Sequence, residues 1–225
     1  MVHLFPTMAT ESPALGLLLA LSIAVALGFG SAATATVYGI PDNCKRLECP
    51  SYTVVHSQAD FEIRKYQTAL WMSGPPLKST SYTDASNRGF FMLFGYIQGR
   101  NSRGAMIEMT APIMVDVDPS TEPFYNSFSV HFYMPRQYQE GQPPLSGEVS
   151  PRRLPTNRYA AVRRFGGFMD DSNIAPQVSM LRASVKGSPW EASLEKTSGG
   201  GYTVAGYNSP FEYMDRVNEI LIWFN

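Results

Sequence analysis

The sequence predicts an α+β fold: two βαββ-like repeats forming a distorted antiparallel β-barrel flanked by two α-helices. Three observations carry that prediction. Short runs rich in aromatic and β-branched residues alternate with two longer runs of helical periodicity. The order strand, helix, strand, strand occurs twice. Two local matches also recur at nearly one spacing: Arg64-Lys65-Tyr66 answers Arg163-Arg164-Phe165, 99 residues on, and Thr110-Ala111-Pro112 answers Asn208-Ser209-Pro210, 98 residues on. A unit of this kind buries one sheet face under its helix. Two such units side by side can merge into a curved sheet with its exposed edges removed.

Residues 52–57, 61–66 and 69–73 read as strands, with Gln58-Ala59-Asp60 as a hairpin signal and Gly74-Pro75-Pro76 as the stop. Ser81-Tyr82-Thr83-Asp84, close to a capping box, announces the first helix, and Gly99 ends it at the C′ position. Residues 106–116, interrupted at Pro112, and 128–134 are the next two strands, and 136–150 is a long polar loop. In the second half, 159–165 is a strand and Gly166-Gly167 a turn. Asp171-Ser172 caps a second helix that ends at Gly187, and 202–207 and 219–224 are the last strands.

The two helices are not equivalent. At 3.6 residues per turn the second shows one narrow apolar stripe, Ile174, Val178, Leu181 and Val185, which is what packing on a sheet requires. The first carries Phe90, Leu93 and Ile97 on one stripe and Phe91 and Phe94 on an adjacent one, beside Asn87 and Gln98. That surplus of aromatic surface suggests a groove for a flat apolar ligand. The residues alone leave open the alternative that the extra phenylalanines meet a loop or a partner subunit.

Domain organisation reads as three parts. Residues 1–35 form a signal peptide: 14–30 is an apolar run without charge, and Ala33-Thr34-Ala35 offers a cleavage site after Ala35. Its first residues hold His3 and Glu11 but no Lys or Arg, and a retained membrane anchor is the rival reading. Residues 36–50 are a leader with Cys44 and Cys49, and 51–225 the domain proper. In an oxidising compartment such a close pair forms a local disulfide of modest stabilising effect; the alternative is two unpaired thiols in a flexible leader. The destination implied is the secretory pathway, extracellular or vacuolar. A formal net charge of −1 lacks the cationic excess that a nucleic-acid partner needs. With 44% hydrophobic residues the chain can build a sizeable core and does not read as disordered.

Four segments together resemble the SOUL haem-binding family, in its plant-like form: 107–113 (Ile-Glu-Met-Thr-Ala-Pro-Ile), 96–101 (Tyr-Ile-Gln-Gly-Arg-Asn), 207–211 (Tyr-Asn-Ser-Pro-Phe) and 216–220 (Arg-Val-Asn-Glu-Ile), with Cys49-Pro50-Ser51-Tyr52 near the start. The likeness runs from about Cys44 to the C-terminus. It implies a fold of two βαββ-type repeats and reversible binding of haem or other tetrapyrroles in a groove between the first helix and the loop joining the last two strands. Carried over by position, the helix side falls on Asn87, Phe90 and Phe94, with Phe91 beside them, and the loop side on Pro210, Phe211 and Glu212. Some relatives carry cations at the positions of Asn87, Gly95 and Glu212, where they could pair with propionates; here none of the three is basic. Arg88 and Arg216 are nearby substitutes, able to hold a carboxylate in bidentate fashion.

Haem iron is held by His, Cys, Met or Tyr. His3 goes with the signal. His131 alternates with Val130 and Phe132 and so points to the opposite sheet face; it and His56 read as structural or surface residues. Cys49-Pro50 resembles the Cys-Pro pairs of haem-regulated proteins, but a disulfide removes the thiolate. Met106, Met109 and Met114 read as core filler. Glu108 and Glu219 read as ties to backbone N–H groups, Gly199-Gly200-Gly201 is no phosphate loop, and the sequence offers no partnered histidine and no nucleophile with a base. The function that follows is non-catalytic binding of haem or a related tetrapyrrole by a monomer, as carrier or buffer, without a strong axial ligand or a metal site. The alternative is a protein-interaction module using the aromatic face of the first helix, with weak or no tetrapyrrole binding. An enzyme acting on tetrapyrroles would lack acid–base residues.

Overall fold

The computed structural model describes residues 38–119, 125–153, 158–197 and 199–225. The predicted signal, residues 1–35, lies outside them. The first half folds as β1 (Tyr52–Ser57), β2 (Glu62–Tyr66), β3 (Leu70–Ser73), β4 (Leu77–Ser79), α1 (Tyr82–Ile97), β5 (Ile113–Pro119) and β6 (Asn126–Tyr133). A short α2 (Arg136–Gln139) and β7 (Ser150–Arg153) follow, within and just after the stretch read as a polar loop. The second half is β8 (Arg158–Phe165), α3 (Ile174–Val185), α4 (Glu191–Thr197), β9 (Tyr202–Gly206) and β10 (Asn218–Phe224). Every strand pairing is antiparallel, in one curled sheet ordered β1-β2-β8-β10-β9-β5-β6-β3-β7, with β4 on β6.

That order reveals the duplication. Exchanging β2 with β7, β3 with β8, β5 with β9 and β6 with β10 turns the strand order from β2 to β7 into its own reverse. The repeats are therefore β3-α1-β5-β6 and β8-α3-β9-β10, each with its preceding strand paired to the other repeat. The residue matches that suggested a duplication sit elsewhere. Arg64-Lys65-Tyr66 lies on β2, whose counterpart is β7 and not β8, while Pro112 precedes β5 and Pro210 follows β9. Nor does the curl abolish both edges: β1 and β7 are the ends of the order. A bulge between Val54 and His56 interrupts β1, and β7 carries Pro151, Arg152 and Arg153, both devices that discourage further strand pairing.

The sheet has two covered faces. On one, Phe61, Ile63, Val115, Val130, Phe132, Val204, Ile220 and Ile222 meet the helices. The predicted stripe Ile174, Val178, Leu181 and Val185 is the buried side of α3, set on β8 and β10. Helix α1 starts as the sequence implies: Ser81 accepts a hydrogen bond from the Asp84 N–H at 3.2 Å, and Gly99 has φ +95°. Asp171, by contrast, does not cap α3. Its carboxylate accepts from the Ser81 hydroxyl and the Tyr82 N–H at the start of α1, where an anion also suits the helix dipole. Asp170 receives the Ser172 and Asn173 N–H groups before α3. Strand 106–116 also fails as predicted. Ile113 onward pairs in the sheet, whereas Met106 makes an isolated bridge to Gln98, the Ile107 N–H donates to Ile97 and the Ala111 N–H to Glu48.

Gly89 sets how closely α1 approaches β6, because a Cβ there would lie 2.3 Å from Val130 Cγ2. Gly89→Ala gains about 1 kcal/mol of helix propensity but overpacks the contact at a cost of about 1–3 kcal/mol. We expect a lowered urea midpoint, and a raised one would refute the close approach.

The second face holds Tyr66, Trp71, Met114, Val162, Ala205 and Leu221, and the leader covers it through Cys44, Leu47 and Cys49. Cys44 and Cys49 are disulfide-bonded. The Tyr38 N–H donates to Glu62 at 2.6 Å, Arg164 donates to the Gly39 carbonyl at 2.8 Å, and the Gln67 N–H donates to the Ser51 carbonyl at 3.2 Å. Residues 38–50 are thus tied into the folded unit along their length.

Candidate ligand site on the first helix and the last loop

Tyr82, Ala85, Gly89, Leu93, Tyr96 and Ile97 turn inward from α1, which leaves its remaining aromatic side chains at the surface. Phe90 is half-buried against Phe132, with ring centroids 5.5 Å apart, and stacks on Phe94 at 5.5 Å and 16°. Phe91 meets Phe90 edge-on at 5.5 Å. Phe91 and Phe94 remain 63% and 39% exposed. Three phenyl rings therefore form a shelf whose outer surface no other side chain of the described residues covers with a ring contact. Asn87 is exposed beside it, and Arg88, also exposed, pairs with Asp84 at 3.2 Å one turn earlier. Arg100, absent from the sequence reading as a site residue, lies with its guanidinium against the bare Cα of Gly95, where a Cβ would be 2.2 Å from Nη2.

The loop between β9 and β10 presents Phe211, Tyr213 and Met214 outward, 82%, 70% and 78% exposed, with Pro210 exposed beside them. Polar bonds within the loop hold those apolar side chains out. Arg216 Nη1 donates to the carbonyls of Ser209 and Glu212 at 2.8 and 2.6 Å, and its guanidinium lies 4.3 Å over the Phe168 ring. The Val217 N–H donates to Asn208 at 2.7 Å. Arg216 is thus engaged by its own loop, unlike Arg88. The ring contacts of the shelf run within α1 and to Phe132, and that of the loop joins Tyr213 to Phe168. Among the described residues no ring contact or hydrogen bond joins the two halves.

The histidines lie apart from the shelf. His131 faces away from Phe132 and is buried, bonded through Nδ1 to Ser73 Oγ at 2.7 Å and through Nε2 to Asp116 at 3.1 Å. The sequence shows no partner for any histidine, and the structure supplies His131 with two. The three partners stand on neighbouring strands β3, β6 and β5, a relation that only the strand pairing reveals. Asp116 also accepts from Thr203 at 2.6 Å, which accepts from Trp223 at 2.8 Å, so the chain of bonds ties five strands across a buried face. His56 packs on Phe61 with ring centroids 5.9 Å apart. Met114 is core, while Met106 is 67% exposed.

Glu219 is the largest departure. It does not tie backbone N–H groups but sits fully buried, bidentate to Arg64 at 2.8 and 2.9 Å, with Arg164 at 2.8 Å and the Tyr207 hydroxyl at 2.9 Å. Arg64 also donates to Glu62 at 2.7 Å. The alternation of Glu62 and Arg64 with Phe61 and Ile63 carried this signal, since one face of β2 had to accept the charges.

A family model for the SOUL heme-binding protein matches residues 47–223. The chain belongs to the SOUL haem-binding family. Mouse Heme-binding protein 2 is 32% identical over 183 residues, covering 77% of this chain and 84% of the mouse protein. Human Heme-binding protein 2 is 35% identical over 162 residues, covering 71% and 76%. These relatives are vertebrate proteins and lend no support to a specifically plant-like form. Among solved structures the EcmrR C-terminal domain superposes with TM-score 0.51 at 9% identity, covering 76% of this SOUL chain and 96% of that domain, a likeness of fold alone.

Proposed function

We propose that this chain is a non-catalytic carrier or buffer of haem or related tetrapyrroles, holding the ring reversibly in an apolar surface groove beside α1. One observation carries the reading: a stacked phenylalanine shelf, with Phe91 and Phe94 63% and 39% exposed, on a helix whose other side already fills the core. Such a shelf suits the face of a flat macrocycle, because offset stacking and apolar burial need no directed partner. Membership of a haem-binding family and the names of its vertebrate relatives support the same ligand class. Pro210 and Phe211 would close the groove from the loop side. Arg88, in an exposed pair worth little on its own, and Arg100, which has no side-chain hydrogen bond or ion pair among the described residues, would meet the ring's carboxylates. Asn87 would add a neutral donor, and Arg216 would act by shaping the loop.

These residues fit the ring better than the iron. His131 is held on the far face by Ser73 and Asp116, and both cysteines are oxidised. The chain would therefore recognise the macrocycle without a strong axial ligand, and act as a monomer. The disulfide supports an oxidising, secretory destination, extracellular or vacuolar.

A visible-absorption titration of the full chain with ferric haem and with metal-free protoporphyrin tests this. Saturable one-to-one binding of both at similar affinity is the expected result. Binding of haem alone would point to an axial ligand, with His56 and His131 the first to replace. No saturable binding of either would overturn the reading in favour of a protein-docking role for the same aromatic face.

A further inference from the structure

We infer that Asn43 and Arg46, carried on the disulfide-closed leader, are positioning residues of the ligand loop, bracing it through the Glu212 carboxylate; this rests on the tetrapyrrole reading above. Glu212 stands at the junction of leader and loop. Its Oε1 accepts from Arg46 at 2.9 Å, and its Oε2 accepts from Asn43 at 3.0 Å, Asn208 at 3.1 Å and the Ser209 N–H at 3.2 Å. Two donors come from the leader and two from the loop, so one carboxylate locks both. Asn43 is buried and also donates to the Tyr207 carbonyl at 2.6 Å, at the root of the loop. Arg216 closes the far side by donating to the Glu212 carbonyl.

An exposed ion pair by itself contributes little, and Arg46 is largely exposed. The brace acquires weight because its leader end is fixed. The Leu47 N–H returns to the Asn43 carbonyl at 2.8 Å, the Cys44 N–H to Pro41 at 2.8 Å, and the Glu48 carbonyl and carboxylate accept the Ala111 and Arg136 N–H groups at 3.0 and 2.6 Å. The Cys44–Cys49 disulfide closes the segment that carries Arg46, with both cysteines and Leu47 against the sheet. The Glu212 carboxyl is held down at about 2, first by the Arg46 hydrogen bond and then by that of Asn43, so the brace stays charged until the pH falls toward that value. The acidic residue at this position, where the resemblance leads one to look for a cation, has a structural use: it ties the loop to the leader.

Cutting the disulfide loosens the brace without touching the shelf. A small dithiol reduces it: the Cys44–Cys49 S–S bond breaks, an S–S bond forms within the reagent, and its two protons and two electrons leave two cysteine thiols. Amide hydrogen exchange of residues 207–217 is the first measurement, on the full chain, untreated, dithiol-reduced, and as Arg46→Glu. The second is the dissociation rate of metal-free protoporphyrin from the same samples. About a fivefold rise in both is expected for reduction and for Arg46→Glu, the size of one charge-assisted contact, with β8 and β10 unchanged. Arg46→Lys, which keeps a cationic donor for Glu212 Oε1 and leaves the Asn43, Asn208 and Ser209 donors in place, should stay near the slow values, whereas a general loss of packing would raise exchange there too. Unchanged exchange at 207–217 in all samples overturns the brace, whether or not porphyrin binds. If the untreated chain binds no porphyrin, the tetrapyrrole reading fails by itself, and the exchange results still decide the brace.

Discussion

Replacing Arg64 by methionine should lower the unfolding free energy by about 3–5 kcal/mol, the usual result of breaking a buried ion pair from one side. Arg64 is fully buried, and its removal leaves two fully buried carboxylates, Glu62 with the Tyr38 N–H and Glu219 with Arg164 and the Tyr207 hydroxyl. The methionine fills much of the volume, so the loss measures stranded charge and not a cavity. Urea unfolding checks it, and a loss below about 1 kcal/mol would mean that water reaches the cluster. The same groups set the acid limit. Burial pushes the Glu219 carboxyl up, but Arg64 and Arg164 outweigh it and hold the group below its ordinary 4.5. Asp116 is likewise raised by burial and, on balance, lowered below 3.8 by His131 and Thr203. A depressed folded value means stability that is present above the unfolded value and lost as pH falls through the folded one. Unfolding free energy should therefore decline from about pH 4.5 downward, and the Glu219 share of that slope should shrink in Arg64→Met.

The largest functional effect belongs to the shelf. Phe90→Ala with Phe94→Ala should weaken tetrapyrrole binding about 100-fold, from roughly 1–2 kcal/mol lost per stacked ring. Phe94 is 39% exposed and contributes little to folding; Phe90 touches Phe132, so some stability will go with it. Far-ultraviolet circular dichroism and a urea midpoint separate the two effects. A folded variant that binds as tightly as the parent would remove the ring from α1 altogether. Phe211→Ala, 82% exposed, should cost affinity with no cost in stability, since nothing in the core leans on it.

Much of this molecule was legible residue by residue. The stripe Ile174, Val178, Leu181 and Val185 and the Ser81 cap are local signals, set by helical period and by orphan N–H groups, and they appear in the structure where the sequence puts them. β7 was invisible because an edge strand exposed along its length has no apolar alternation to show. Residues 106–112 look like a strand because Ile107 and Met109 are apolar, yet their backbone is bonded to the end of α1 and to the leader. Asp171 reads as a cap for the helix that follows it, and caps the other one instead. The aromatic excess of α1 was plain from its wheel; that Phe91 and Phe94 face outward, uncovered by loop or leader, was not.

The chain by itself determined the fold class, the two helices, their unequal apolar arcs and the family, because period, caps and ordered motifs are written in consecutive residues. Only the tertiary structure decided which repeat strand pairs with which, that Glu219 meets Arg64 across 155 positions, that His131 is held by Ser73 and Asp116, and that a leader asparagine and arginine grip the β9–β10 loop at Glu212. Such partners are chosen by the burial of charge and by sheet register, and a sequence states which groups need partners without saying which neighbour will supply them.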